Sequence, residues 1–121
     1  MAERIVHPIF RMFDEEKARE FYVGFLGMTV DFEHRFGDDF PLYMQVSNEW
    51  LVLHLSEHHG DCSPGSKIRV QISGIDAFHK VLKDKNYKYN KPGINETEWN
   101  TREINVRDPF GNAISFFEPK G

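Results

Sequence analysis

Lys67-Ile-Arg-Val-Gln-Ile-Ser73 decides the fold, because a pattern already used once starts again here. Ile68, Val70 and Ile72 alternate strictly with Lys67, Arg69 and Gln71, the period-2 signature of a strand with one buried face. Downstream, Asp76 is placed to cap a helix that buries Phe78, Val81 and Leu82 and stops near Asn86. A weak strand is predicted around Lys88–Asn90, followed by a polar, breaker-rich stretch from Lys91 to Asn100. Arg102–Arg107, the turn Asp108-Pro-Phe-Gly-Asn112 and the strand Ala113–Glu118 close the chain.

Upstream lies a Pro/Gly/Ser linker, Asp61-Cys-Ser-Pro-Gly-Ser66, and before it the same order of elements. Arg4–Met12 alternates enough for a strand, and Asp14 is a plausible N-cap. Ala18, Phe21, Tyr22, Phe25 and Leu26 form one helical stripe, with Gly27 as the stop signal. Thr29–Phe36, Phe40–Val46 and Trp50–Leu55 then read as an antiparallel meander, turned at Gly37–Asp39 and Ser47–Glu49. Each half is βαβββ. A module of this kind cannot close a core alone, so the repeat predicts one α+β domain over residues 1–121. Module one spans about residues 1–60 and module two about residues 67–121.

At 121 residues the chain fits one domain, which buries roughly two-thirds of its unfolded surface. An aromatic content of 14% excludes disorder. Lys and Arg number 15 against 19 Asp and Glu, so no basic surplus exists for gripping nucleic acid. No apolar run approaches the ~18 residues of a membrane span, and Met1-Ala-Glu-Arg4 has no signal-peptide character. A single cysteine, Cys62, cannot form an internal disulfide and reads as an ordinary loop thiol. A cytoplasmic protein is expected.

Two stretches carry a family resemblance. His7-Pro-Ile-Phe-Arg-Met12 with Ala18-Arg-Glu-Phe-Tyr-Val-Gly-Phe-Leu-Gly-Met28, and Arg107-Asp-Pro-Phe-Gly-Asn-Ala-Ile-Ser-Phe-Phe-Glu118, resemble the vicinal oxygen chelate superfamily. That superfamily includes glyoxalases, extradiol dioxygenases and bleomycin resistance proteins. His54-Leu-Ser-Glu-His-His-Gly-Asp61 is similar to the bleomycin-resistance-like branch. The resemblance implies the glyoxalase/bleomycin resistance fold, with sheets placed around a cleft that a homodimer completes. It also implies four positions that hold metal ligands in metal-using members, matched here by His7, His54, Lys67 and Ser115.

Those four residues are a poor ligand set. A catalytic zinc wants three protein ligands, and an ammonium beside a cation repels it. The expectation is therefore no cofactor; the alternative is a divalent metal (Zn, Ni, Fe or Mn) held through His7 and His54. His58, His59, Glu57 and Asp61 form a further cluster, read either as a solvated strand end or as a metal site. Strand parity groups Ile5, Ile9, Trp50 and Val52 with the two histidines, and Arg69, Gln71 and Phe117 with Lys67 and Ser115. Trp99 and Arg102 either cover the cleft mouth or serve as core plug and surface charge.

The expected cleft thus comprises His7, Trp50, His54, Lys67, Arg69, Trp99, Arg102 and Ser115. Its aromatic walls with few polar groups suit a small-molecule ligand. The expected function is sequestration of an antibiotic-like molecule without chemistry. The alternative is a divergent metal-dependent lyase, isomerase or dioxygenase using His7, His54 and one of Glu57, Glu103 or Glu118.

Overall fold

The computed structural model describes residues 5–121. Its first half contains β1 (Ile9–Arg11), α1 (Glu15–Arg19), a π-helical turn (Glu20–Phe25), β2 (Thr29–His34), β3 (Tyr43–Ser47) and β4 (Val52–Ser56). The second contains β5 (Lys67–Gln71), α2 (Ile75–Lys85), β6 (Asn95–Glu96), β7 (Thr101–Arg107) and β8 (Ala113–Pro119). The sheets run β1-β4-β3-β2 and β5-β8-β7-β6, so the same βαβββ topology is drawn twice. In each, the first strand pairs in parallel with the last, and antiparallel partners follow.

Asp14 caps the first helix as its position suggests, accepting the Lys17 N–H at 3.0 Å. The helix then widens, and the Leu26 N–H reaches the Phe21 carbonyl five residues back. The wider winding lets the adjacent bulky pairs Phe21–Tyr22 and Phe25–Leu26 all reach the core. The second helix departs from the sequence reading in its cap. Gly74, with φ 77°, holds the N-cap position, and the Glu118 carboxylate accepts the Ile75 N–H at 2.9 Å. Asp76 is instead clasped by both Nη atoms of Arg102, at 2.7 and 2.9 Å. The buried stripe runs Ile75, Phe78, Leu82 and leaves Val81 53% exposed. Lys88–Asn90 forms no strand; the short edge strand lies later, at Asn95–Glu96.

One apolar cluster passes through both modules, from Phe10 and Met12 on β1 to Ile114 and Phe116 on β8. Trp50 bridges them, packing edge-on against Phe78, which packs in turn against Phe116. A polar lock joins the modules at the Asp108–Asn112 turn. Asp108 is buried and accepts the Tyr22 hydroxyl at 2.6 Å. Asn112 donates to the Arg11 carbonyl and accepts from the Gly65 and Ser66 amides, so β1, the linker and the turn share one side chain. Each sheet buries one face in this core. The opposite faces are left uncovered, and they hold the candidate site. No described helix is long and apolar enough to cross a membrane.

Candidate functional site

Alternation along β3 and β4 builds the first face. Met44, Val46, Leu53 and Leu55 point into the core, which turns Tyr43, Gln45 and His54 outward. Antiparallel register sets Gln45 opposite His54, β1 sets Ile9 on its other side, and β2 adds Phe32 opposite Gln45. The His54 ring is then surrounded by other rings. Tyr43 and His7 lie at 5.1 Å and Phe32 at 5.8 Å, centroid to centroid. Phe36, packed against His34 and His58, extends the aromatic surface.

Hydrogen bonds fix the imidazole. Gln45 donates its Nε2 to Asp31 at 2.9 Å, which turns its Oε1 toward His54 Nε2 at 3.0 Å. His54 therefore carries its proton on Nε2, and its bare Nδ1 accepts the Tyr43 hydroxyl. Burial, and then the neighbouring His7, lower the His54 pKa and favour this neutral form. With both nitrogens engaged, His54 has no free lone pair for a general base or a metal.

The second face is built by β5, β7 and β8. Arg69 places both Nη atoms on Glu103, at 3.1 and 2.9 Å, and stacks on the Phe117 ring at 4.4 Å. Glu103 also accepts from Thr101 Oγ1 and Trp99 Nε1. The Arg69 hydrogen bond foremost holds the Glu103 carboxyl below the usual range. Ser115 donates to Asn105, and Lys67 is exposed at the end of the same face.

The structure thus gathers the expected residues into two groups rather than one. His7 and His54 share the first face; Lys67, Arg69, Ser115 and Trp99 share the second. Among the described residues no hydrogen bond, ring contact or ion pair joins the two groups within a chain. Trp50 and Arg102 belong to neither. Trp50 precedes β4, so strand parity does not reach it, and its ring packs on Phe78; Arg102 points to the helix side and pairs with Asp76. Phe32, Tyr43, Gln45 and Asp31 were missed as site residues. The polar–apolar alternation of Tyr43–Ser47 opposite His54 was the signal that could have found two of them, Tyr43 and Gln45.

The donor set does not suit the metal that some members of the resembling superfamily hold. His54 is doubly engaged, Lys67 is a cation, Ser115 is turned to Asn105, and no group of three or more His, Cys, Asp or Glu among the described residues could hold an ion. The candidate carboxylates are also occupied: Glu57 by the Leu42 amide, Glu118 by the Ile75 amide and Glu103 as above. Cys62 has its thiol pKa raised by burial and then by Asp61, the opposite of an activated nucleophile.

A family model described as "Glyoxalase superfamily protein" matches residues 1–121. No curated protein matches the chain. Among solved structures, an antibiotic-binding protein from a Streptomyces species is 21% identical with a TM-score of 0.73, covering 98% of each chain. A bleomycin-binding protein complexed with bleomycin is 17% identical with a TM-score of 0.72. A transposon-encoded bleomycin resistance determinant is 16% identical with a TM-score of 0.75. Both of these overlays cover 98% of this chain and 100% of the other. At these identities the likeness establishes the fold.

Proposed function

Since the chain belongs to the glyoxalase superfamily, we propose that it binds a bulky, aromatic, antibiotic-like molecule on its uncovered sheet faces and holds it without chemistry. The observation that carries this reading is the ring of Phe32, Tyr43 and His7 around a neutral, doubly hydrogen-bonded His54. Such a surface offers stacking area, and its central imidazole is engaged at both nitrogens. Relatives of the same fold that are named for antibiotic or bleomycin binding support the ligand class.

A second copy of the chain completes the cleft in this reading. Phe32, Phe36 and Ile9 are 45%, 74% and 37% exposed, an apolar surface that a two-fold partner would cover. The partner's second face then supplies Lys67 and Phe117, with Ser115 buried beneath them against Asn105. Arg69 adds little net charge, because Glu103 matches it. The cleft therefore favours a neutral or weakly charged polyaromatic ligand over a strongly cationic one. No resident metal takes part.

Light scattering should give twice the 14.2 kDa chain mass. Bleomycin and aromatic antibiotics would be screened by thermal shift, and each hit titrated against Phe32→Ala and His54→Gln. Phe32→Ala should weaken an aromatic ligand by roughly 1–2 kcal/mol, the worth of one well-packed ring contact. His54→Gln should cost less, since the amide keeps one donor and one acceptor. Equal binding by both variants and wild type would refute the site.

A further inference from the structure

We infer that the chain has a second small-molecule site, lined by the first helix, the Tyr87–Asn90 loop and the end of β7, that takes a small aromatic carboxylate. A cavity of about 460 Å³ opens between the first helix and the start of the Asp108–Asn112 turn. That volume lies within the range of small-ligand pockets, roughly 300–1,000 Å³. Its walls are Lys17 and Glu20 on one side, Tyr87 and Tyr89 on the second, Arg107 and Pro109 on the third.

The walls are fixed before any ligand arrives. Tyr87 stacks on the buried Phe25 at 4.7 Å and meets Tyr89 edge-on at 5.5 Å. Asn90 clamps the backbone of Arg107 from both sides, donating to its carbonyl at 2.9 Å and accepting its N–H at 3.2 Å. The loop carrying both tyrosines is thereby tied to the end of β7. A preformed pocket spares the ligand the cost of ordering it.

The cations at the cavity have no acidic partner: Lys17, Lys88 and Arg107 form no ion pair with a carboxylate among the described residues. Arg107 uses one Nη on the Gly111 carbonyl, which braces the guanidinium and leaves further donors open. Of the two acids at the cavity, Asp108 is spent on Tyr22, Phe110 and Asn112, and Glu20 lies against the Tyr87 hydroxyl. Lys17 and Arg107 thus face the cavity as unpaired cations beside two tyrosines, with Lys88 over the Tyr89 ring at 5.3 Å. Guanidinium and ammonium groups select a carboxylate, and the 67% exposed Tyr89 ring selects an aromatic body.

The test is an amide-resolved NMR titration of the intact protein with 4-hydroxybenzoate, with benzyl alcohol and inorganic phosphate as separate arms. Saturable shifts should centre on Lys17, Tyr87–Asn90 and Arg107, and should persist in His54→Gln, which keeps this site separate from the sheet faces. The exposed substitutions Lys17→Gln and Tyr89→Ala should each raise the dissociation constant about threefold to tenfold. No saturable shift at millimolar 4-hydroxybenzoate, or equal binding by both variants, would overturn the inference. Equal affinity for benzyl alcohol or for phosphate alone would also overturn it, since the site then selects only half of the proposed ligand.

Discussion

Replacing Asn112 with alanine should cost far more than a surface polar residue, because four hydrogen bonds of one buried side chain vanish together. Asn112 is 1% exposed. Its Oδ1 accepts the Gly65 and Ser66 amides at 3.1 and 3.2 Å, and its Nδ2 donates to the Arg11 carbonyl at 2.8 Å and to Asp108 at 2.9 Å. A buried polar group left without a partner costs about 1–3 kcal/mol. Gly65 is exposed and Ser66 half-exposed, so water can recover part of the loss there. Asp108 keeps the Tyr22 hydroxyl and two backbone amides. The Arg11 carbonyl loses its cross-module donor. The expected total is roughly 3–5 kcal/mol, a large part of the 5–15 kcal/mol that ordinarily holds a domain. Urea unfolding followed by circular dichroism and tryptophan fluorescence would measure it, with an unchanged m-value confirming a loss of stability alone. Asn112→Asp adds a carboxylate facing Asp108. It should fall below the alanine variant at neutral pH and recover as pH drops, since like charges raise one of the two carboxyl pKa values. A loss under about 1 kcal/mol for Asn112→Ala would refute the view that this side chain locks the modules.

Glu103→Gln should lower stability at pH 7 by about 1–2 kcal/mol, toward the low end for charged hydrogen bonds because Arg69 is 41% exposed on its side chain. The wild-type carboxyl is held below the ordinary glutamate value of about 4.3, so its contribution is complete above that pH and fades as pH falls through the folded-state value. The gap between variant and wild type should therefore close in urea titrations below about pH 4; a gap constant from pH 7 to 3 would contradict the assignment. Trp50→Ala should destabilise by about 2–4 kcal/mol through lost packing on Phe78, yet leave affinity for any sheet-face ligand unchanged. Weakened ligand binding in a still-folded Trp50→Ala protein would return that ring to the cleft.

The architecture was legible because a repeat is written in periodicities that packing does not override. Period-2 alternation at Lys67–Ser73 and the helical stripe from Ala18 to Leu26 both survive in the fold. Periodicity failed where long-range partners decided the local structure. Asp76 carries the ordinary signal of an N-cap, but Glu118, 43 residues away, reaches the Ile75 amide, and Arg102 takes Asp76. The π-helical turn has no local signature either: its cause is the joint burial of Phe21, Tyr22, Phe25 and Leu26 against a core that the rest of the chain supplies.

The site was legible only as far as parity extends. His7 and His54 meet because β1 and β4 are neighbours, and Lys67, Arg69 and Ser115 meet because β5 and β8 are. Trp50 shows where that reasoning stops, since one turn before the strand begins the alternation no longer binds the side chain to a face. What the faces do chemically depends on second partners that no spacing reveals. Arg69 looks like a free cation until Glu103 is placed under it from β7. His54 looks like a ligand or base until Gln45, itself aimed by Asp31, fixes its proton and Tyr43 fills its lone pair. In both cases the neighbouring strand removes a reactive possibility at that side chain, and this is the basis on which we propose that the faces hold a molecule rather than transform it.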